Sequence, residues 1–537
     1  MRHHNSAPIR FAPAGIHLVT TRRASARLGR ALFSSVMLAS IAAARLDAQA
    51  DTSAAVRAAE RSAMLAPVSV TVTRDAGRTP FELPFATARL RPDASRPALR
   101  RTGIGDLLFA VPGVVVQDRA NPSQDPRVTV RGFGARSAFG VRGVRVLRDG
   151  IPLSLPDGQT PVDWLDLETV GSIDVVRGTA GALYGNAAGG VVDFRSRDPE
   201  RAPVSIATRG WGGNGLTRAS VIASGMLRID STAPAALRDI GYLASVTGTH
   251  GDVGRTYSRL DATSAFARVF GTLRGTRLEL QATHYDAPRA ENTGALTAGE
   301  LARDPTLPDS LNITKVSRKS VRQSQLGLIA SRSVGANDVQ FSAFVSGRSL
   351  DNPLPFAIVA IERDVAGASL RGSRRTLVLP WPLRLTAGAD VQRQDDDRVN
   401  YENCNAVVPT AATAARCAIP GAEVGSLRLR QQELVQGTGV FARAEVEAPG
   451  RVFASAAVRH DRVSFRVRDA FVSSTNADDS GERTLEAVTP MFGLSWRVRP
   501  LLSLYANVTH AFETPTVTEL TNQPDGAAGL NLSLIHI

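Results

Sequence analysis

The chain has 537 residues, more than one ordinary hydrophobic core accommodates, so either several domains or one large closed sheet is expected. Its net charge of +13 suggests nucleic acid, but residues 1–50 hold seven arginines against the single acid Asp47, and only Lys315 and Lys319 are lysines. No basic run interleaved with aromatics appears, so the arginine excess reads as composition rather than a binding surface, and no nucleic-acid partner is expected.

In chain order, Arg22, Arg23, Arg27 and Arg30 precede an apolar run from Ala31 to Ala44 and a small-x-small site at Ala48-Gln49-Ala50. That is the layout of a secretory leader over residues 1–50, with the mature chain starting at Asp51. The apolar run is shorter than the ~20 residues of a membrane-spanning helix. A polar, alanine-rich segment (51–67) follows, then the β-branched alternation Val68-Ser69-Val70-Thr71-Val72-Thr73. Gly105 to Ala110 predicts a helical turn stopped by Pro112-Gly113, and Val114 to Gln117 the strand after it.

From Arg127 to Val192, short β-branched runs are cut every few residues by glycine, and Asp149-Gly150 and Asp157-Gly158 are turn dipeptides. Local chemistry alone fits an ordinary small α+β domain equally well. The combination of Arg131-Gly132-Phe133, Val146-Leu147-Arg148-Asp149-Gly150-Ile151-Pro152, Ile173-Asp174-Val175-Val176-Arg177-Gly178 and Leu183-Tyr184-Gly185-Asn186-Ala187-Ala188-Gly189-Gly190 is more specific. In order and spacing these elements resemble the plug of TonB-dependent outer-membrane receptors. Asp174 stands where that family usually has Glu, and Thr179 where it usually has Pro. The resemblance implies a plug over 69–197 and makes Val68 to Thr73 a candidate TonB box, the segment that an inner-membrane energy complex grips by strand addition. The first strand of the plug is the alternative for that segment. The resemblance also marks Arg131, Gly132, Asp149, Gly150, Arg177, Gly178, Tyr184, Gly185, Gly189 and Gly190 as plug motif residues, with Arg131 and Arg177 matching arginines that pair with barrel glutamates.

Beyond Pro203 the texture changes to two-residue alternation. In Arg277 to His284, Leu278, Leu280 and Ala282 share one face while Arg277, Glu279, Gln281 and Thr283 share the other. No helical pattern supplies a layer to cover the apolar faces, so an exported chain satisfies its backbone by closing these strands into a transmembrane antiparallel β-barrel over 200–532. Connections are short at Val334 to Asp338, Pro380 to Pro382, Ala448 to Gly450 and Arg499-Pro500, and long at Asp286 to Ser310 and Asn400 to Gly425. The long ones are candidate ligand-facing loops. Cys404 and Cys417, the two cysteines, lie in the second; in an exported loop they suit a disulfide better than a zinc site, which needs more ligands. Ala511 to Leu520 resembles a motif that family members carry well inside the barrel. Some 14 to 16 strands fit the region at roughly 20 to 25 residues each, fewer than the 22 of plugged transporters. The sequence therefore reads as a truncated barrel, with residues 533–537 as foreign read-through.

No nucleophile elbow, Walker loop, His-Glu-x-x-His or CxxC pair is present, and Gly132-Phe133-Gly134 lacks the third glycine of a dinucleotide site. The expectation is therefore a non-enzyme without cofactor or metal centre. The resemblance implies an energised outer-membrane uptake receptor whose partners are TonB, the lipid bilayer and a scarce ligand, most often a ferric siderophore. A passive porin or surface binding protein would share the barrel pattern but has no need of the plug. Arg136, Arg142, Asp157 and Gln159 are the ligand-facing candidates, and arginines 127, 131, 136, 142, 145 and 148 suit an anionic cargo. Gly132 to Thr160 looks closest to a subgroup that includes the pyrroloquinoline quinone receptor, whose cargo is also anionic.

Overall fold

The computed structural model describes residues 82–521 and 530, apart from 93–98, 136, 138–139, 179, 228–236, 379, 412, 420 and 475. The leader, residues 51–67, the segment Val68–Thr73 and Arg136 lie outside the described residues.

The first part of the described chain builds a small mixed sheet. Strands β1 (Ala86–Leu90), β4 (Val144–Arg148), β5 (Ile151–Pro152), β6 (Val170–Arg177) and β7 (Gly190–Ser196) lie in the order β1-β6-β7-β4-β5. Only the β4–β7 pair is parallel. β2 (Val114–Gln117) and β3 (Arg127–Val130) form a separate hairpin. The expected helical turn is the helix Ile104–Leu108, which buries Ile104, Leu107 and Leu108. Asp149 (φ 51°) and Gly150 (φ 85°) both adopt positive φ, the backbone of the two-residue turn that joins β4 to β5.

The remainder is one antiparallel meander of 13 strands in sequence order, from β8 (Ser205–Gly213) to β20 (Leu502–Thr509). Between them run β9 (Leu216–Leu227), β10 (Leu237–Asp252), β11 (Arg259–Leu273), β12 (Thr276–Glu291), β13 (Arg318–Val334) and β14 (Asn337–Pro353). They are followed by β15 (Ile358–Val378), β16 (Trp381–Asn403), β17 (Val424–Ala448), β18 (Val452–Asp469) and β19 (Gly481–Arg499). The strands are fewer than expected because they are longer: β16 has 23 residues and β17 has 25. At ~3.4 Å per residue, β17 reaches well past the ~25 Å apolar band of an outer-membrane barrel. Segments read as loop become strand for the same reason. Asp286 to Glu291 belongs to β12 and Asn400 to Asn403 to β16, so the first long connection shifts to 292–317 and the second shortens to 404–423.

The sheet's polarity is inverted relative to a soluble protein. On β12, Glu279 and Gln281 are 7% and 5% exposed, whereas Leu280 between them is 55% exposed. Glu279 accepts two hydrogen bonds from Arg268 on the inner face, at 2.8 and 2.7 Å. On the outer face, Leu278, Ala330, Phe341, Leu370, Ala389 and Val440 stand opposite one another across six strands. An apolar exterior around a polar interior suits lipid outside. The small sheet occupies that interior. Its largest core cluster joins Trp164, Leu167, Ile173 and Phe194 to Tyr285, Ala287 and Val321 of the large sheet. A second cluster joins Leu183 and Tyr184 to Ala457 and Met491. One small body can touch both β12 and β19 only if the large sheet curls around it.

Candidate functional site

The motif glycines are where the inner body needs close approach. A Cβ on Gly190 (φ +139°) would lie 2.1 Å from the Val176 carbonyl oxygen, so the β6–β7 pairing itself requires glycine there. Gly185 (φ +73°) rests on the wall, where a Cβ would sit 2.8 Å from Asp461 Oδ1 and 3.2 Å from Arg459 Nε. Beside it, Tyr184 is buried. Arg148 is buried too, donating to the Asp166 carbonyl at 2.9 Å and to Ser196 Oγ at 3.0 Å. Arg177 donates to the carbonyls of Pro112 (2.8 Å) and Thr87 (3.4 Å), both within the inner body. Arg131 is exposed, with φ 49°.

A belt of charge-assisted bonds ties body to wall. Asp163 accepts from Lys319 Nζ at 2.8 Å and from Arg348 at 2.8 and 3.0 Å, and Arg348 also donates to Gln323 at 2.5 Å. Burial alone would raise the Asp163 carboxyl, but Arg348 and Lys319 outweigh it and hold it far below the usual carboxylate range. Its neighbour Asp125, whose Oδ1 is buried, moves the other way: burial raises it more than Lys319 lowers it. Further round, Glu168 pairs with Arg218 at 3.1 Å, Asp166 accepts from Ser245 at 2.9 Å, and Arg145 donates to Gln392 at 2.9 Å. Arg459 binds both Asp390 (2.6 Å) and Asp461 (2.8 Å) beside a cavity of about 70 Å³ between body and wall.

Two of the ligand-facing candidates, Arg142 and Asp157, meet the segment 511–520. Arg142 pairs with Glu519 and with Glu513 (3.4 Å) and donates to the Thr514 carbonyl at 2.9 Å. Thr514 Oγ1 receives a bond from Asn186 at 2.7 Å and donates to the Asp157 carbonyl at 3.3 Å. Asp157 is buried, and burial pushes its carboxyl up to about 6 against the pull of Arg363. The Gln159 N–H donates to Asp157 Oδ1 at 3.0 Å, and Gln159 itself is half-buried. Of the arginines expected to suit an anion, 142, 145 and 148 are thus engaged in holding the fold. Arg127 is half-buried beside Gln117, and Arg131 is exposed.

Above this layer three loops are knotted through Asn403. Its side-chain amide donates to the carbonyls of Lys315 and Leu354, both at 2.9 Å, and its own carbonyl accepts from Lys315 Nζ at 3.1 Å. Cys404 and Cys417 form a disulfide with Cα atoms 5.5 Å apart, closing the third loop. Leu311, Ile313, Phe356, Val408 and Ile419 are exposed on this crown. The loop 292–317 also reaches down, where Asn121 donates to Asn292 at 2.7 Å. No group of His, Cys, Asp and Glu able to hold a metal ion occurs among the described residues. Asp163, Arg348 and Glu513 were not singled out by sequence reasoning. The only signals available were the rarity of lysine, which draws notice to Lys319, and the motif around Glu513.

One carboxylate sets a pH dependence. Asp193 on β7 stands directly opposite Asp174 on β6, and burial with Asp149 and Asp174 nearby pushes it up to about 7 despite Arg195. A carboxyl raised in the folded state from an ordinary 3.8 stabilises the fold fully below that value, and the contribution is lost as pH rises through 7. Asp193→Asn is therefore expected to flatten the loss of stability between pH 5 and 8, recovering on the order of 2–4 kcal/mol at pH 8. Thermal melts of both proteins at the two pH values check this; parallel pH slopes would refute it.

Two family profiles match the chain. One described as the TonB-dependent Receptor Plug Domain covers residues 94–191, and one described as TonB dependent receptor-like, beta-barrel covers residues 227–533. A hemin receptor of Yersinia pestis is 33% identical over 141 residues, 26% of this chain and 17% of that receptor. Among solved structures, the ferric citrate transporter FecA in its unliganded form superposes with a TM-score of 0.66 at 17% identity, covering 84% of this chain and 66% of that one. The ferric yersiniabactin uptake receptor FyuA from Yersinia pestis gives a TM-score of 0.58 at 14% identity, covering 79% of this chain and 64% of that one. The chain thus spans just under two thirds of the length of these structural relatives.

Proposed function

The chain belongs to the TonB-dependent receptor family, and from that premise we propose that it is an outer-membrane receptor for energised uptake of an anionic iron chelate, a ferric siderophore first. The observation that carries this reading is the inner body bolted by Asp163, Glu168 and Arg142 inside a sheet whose apolar face points outward. A passive pore has no use for a folded stopper, and a soluble receptor has no use for an apolar exterior. In this reading residues 69–197 are the plug, 200–532 the barrel wall, and Val68 to Thr73 the TonB box. Ligand is taken at the loop crown around Asn403, the energy complex pulls the N-terminal segment, and the plug rearranges to let cargo pass. The relatives named for hemin, ferric citrate and ferric yersiniabactin support an iron chelate as the cargo class.

The test is an uptake panel with the full-length gene in hosts with and without TonB, comparing labelled ferric siderophores, hemin and pyrroloquinoline quinone. Uptake of one iron chelate that disappears without TonB is the expected result. Uptake of the quinone alone would favour the second reading, raised by the look of Gly132 to Thr160. Accumulation indifferent to TonB would overturn energised transport.

A further inference from the structure

We propose that the arginine-rich rim at the short-turn end of the sheet docks the headgroups of anionic phospholipids, with their acyl chains in the apolar groove directly above. The inference rests on the outer-membrane reading, because it needs the outward face to meet a bilayer. The five short turns described at this end of the sheet, within residues 274–279, 332–338, 374–384, 447–451 and 497–502, carry nine arginines and three carboxylates. Arg274, Arg332, Arg374, Arg375, Arg451 and Arg499 are exposed. Two of the three carboxylates are already committed: Glu279 turns inward to Arg268, and Asp338 lies 3.8 Å from Arg375 and 3.4 Å from Arg384. The rim therefore keeps a positive excess on a surface where the chain meets the membrane edge.

Depth is fixed by Trp381 and Trp496, both partly exposed beside the same turns, as aromatic residues sit at membrane interfaces. Just above the rim, a groove of about 920 Å³ on the outer face is lined by Val339, Leu385, Ala442, Val458 and Phe492, with Arg374 at its turn-side edge. Register explains the arrangement. Asn337, Arg374 and Leu385 stand in one row across β14, β15 and β16, and Val339, Gly372 and Ala387 in the next row away from the turns. A phosphate at Arg374, on that outer row, would thus place its acyl chains along the groove.

Charge restricts the site to this end. On the same outer face towards the long loops, β15 and β16 carry Glu362, Asp364, Asp395 and Asp397, which would repel the same headgroup. Short turns face the periplasm in such barrels, so the partner is a phospholipid of the inner leaflet.

The test uses the full chain in nanodiscs of equal phosphatidylglycerol and phosphatidylcholine, with retained lipids counted by native mass spectrometry. Wild type should retain phosphatidylglycerol preferentially. Arg374→Gln should lower the ratio about fivefold, the factor a single arginine near an anionic surface contributes. Arg416→Gln, in a long loop, should leave the ratio unchanged. Equal retention of both lipids by wild type, or an undiminished preference in Arg374→Gln, overturns the proposal. Heat modifiability is read on the same samples: a chain that migrates alike boiled and unboiled overturns the barrel reading and this inference with it, whereas a heat-modifiable chain without lipid preference overturns the docking alone.

Discussion

Asp163→Ala is expected to loosen the inner body from the wall at a cost on the order of 3–5 kcal/mol, the range for removing one partner of a buried ion pair. The side chain is 11% exposed, and the two cations it serves, Lys319 and Arg348, are 8% and 9% exposed. Alanine would remove the carboxylate that both cations share. The effect should appear as a lower denaturant midpoint for the full chain and as ion conductance in planar bilayers. Combining Asp163→Ala with Lys319→Met and Arg348→Met should recover much of the stability, since no stranded charge then remains. A single variant within about 0.5 kcal/mol of wild type would show that the triad carries no weight.

Much of the fold is legible in the sequence because it depends on local requirements. Gly190 must be glycine where β7 meets the Val176 carbonyl, and the alternation Leu278, Glu279, Leu280, Gln281 records which face meets lipid. The departure at Asp174 also has a local explanation. Arg89 on β1 stands directly opposite it, and Arg89 Nε lies 2.8 Å from the carboxylate, so the shorter acid reaches its partner without the extra methylene of Glu. The site is less legible because its bonds are distant in sequence. Asp163 lies 156 residues from Lys319 and 185 from Arg348, and Arg142 lies 377 from Glu519. No spacing rule links such residues. An arginine such as Arg142, free in sequence to face an anion, is in the fold the partner of two glutamates. Strand ends escaped for another reason: polar residues such as Asn400 and Tyr401 read as loop, yet a strand that rises beyond the bilayer needs no apolar face there.

Val70→Pro or Val72→Pro in the full-length gene is expected to abolish uptake while leaving surface binding of ligand intact. If Val68 to Thr73 is the TonB box, it must leave the plug and pair as an added strand, and proline both removes a pairing N–H and fixes φ. The described chain begins just beyond it, at the end of the barrel where force would arrive. Glu82 lies 3.4 Å from Arg497, and the Pro84 carbonyl accepts from Asn507 at 2.6 Å, both beside the short turn that joins β19 to β20. From there Ala86 enters β1, which pairs with β6 through Arg177. Tension on the segment would therefore strain the Glu82 and Pro84 anchors first and the β1 edge of the plug sheet next, far from the loop crown around Asn403. On the proposed function, binding at the crown and transport through the wall should thus be separable by one substitution. Equilibrium binding of labelled ligand to whole cells and its accumulation over time, measured on the same variant, distinguish the outcomes. Loss of accumulation alone is the expected result; joint loss would mean that the segment is a plug strand whose removal unsettles the fold, and unchanged accumulation would mean that no pull is exerted through it.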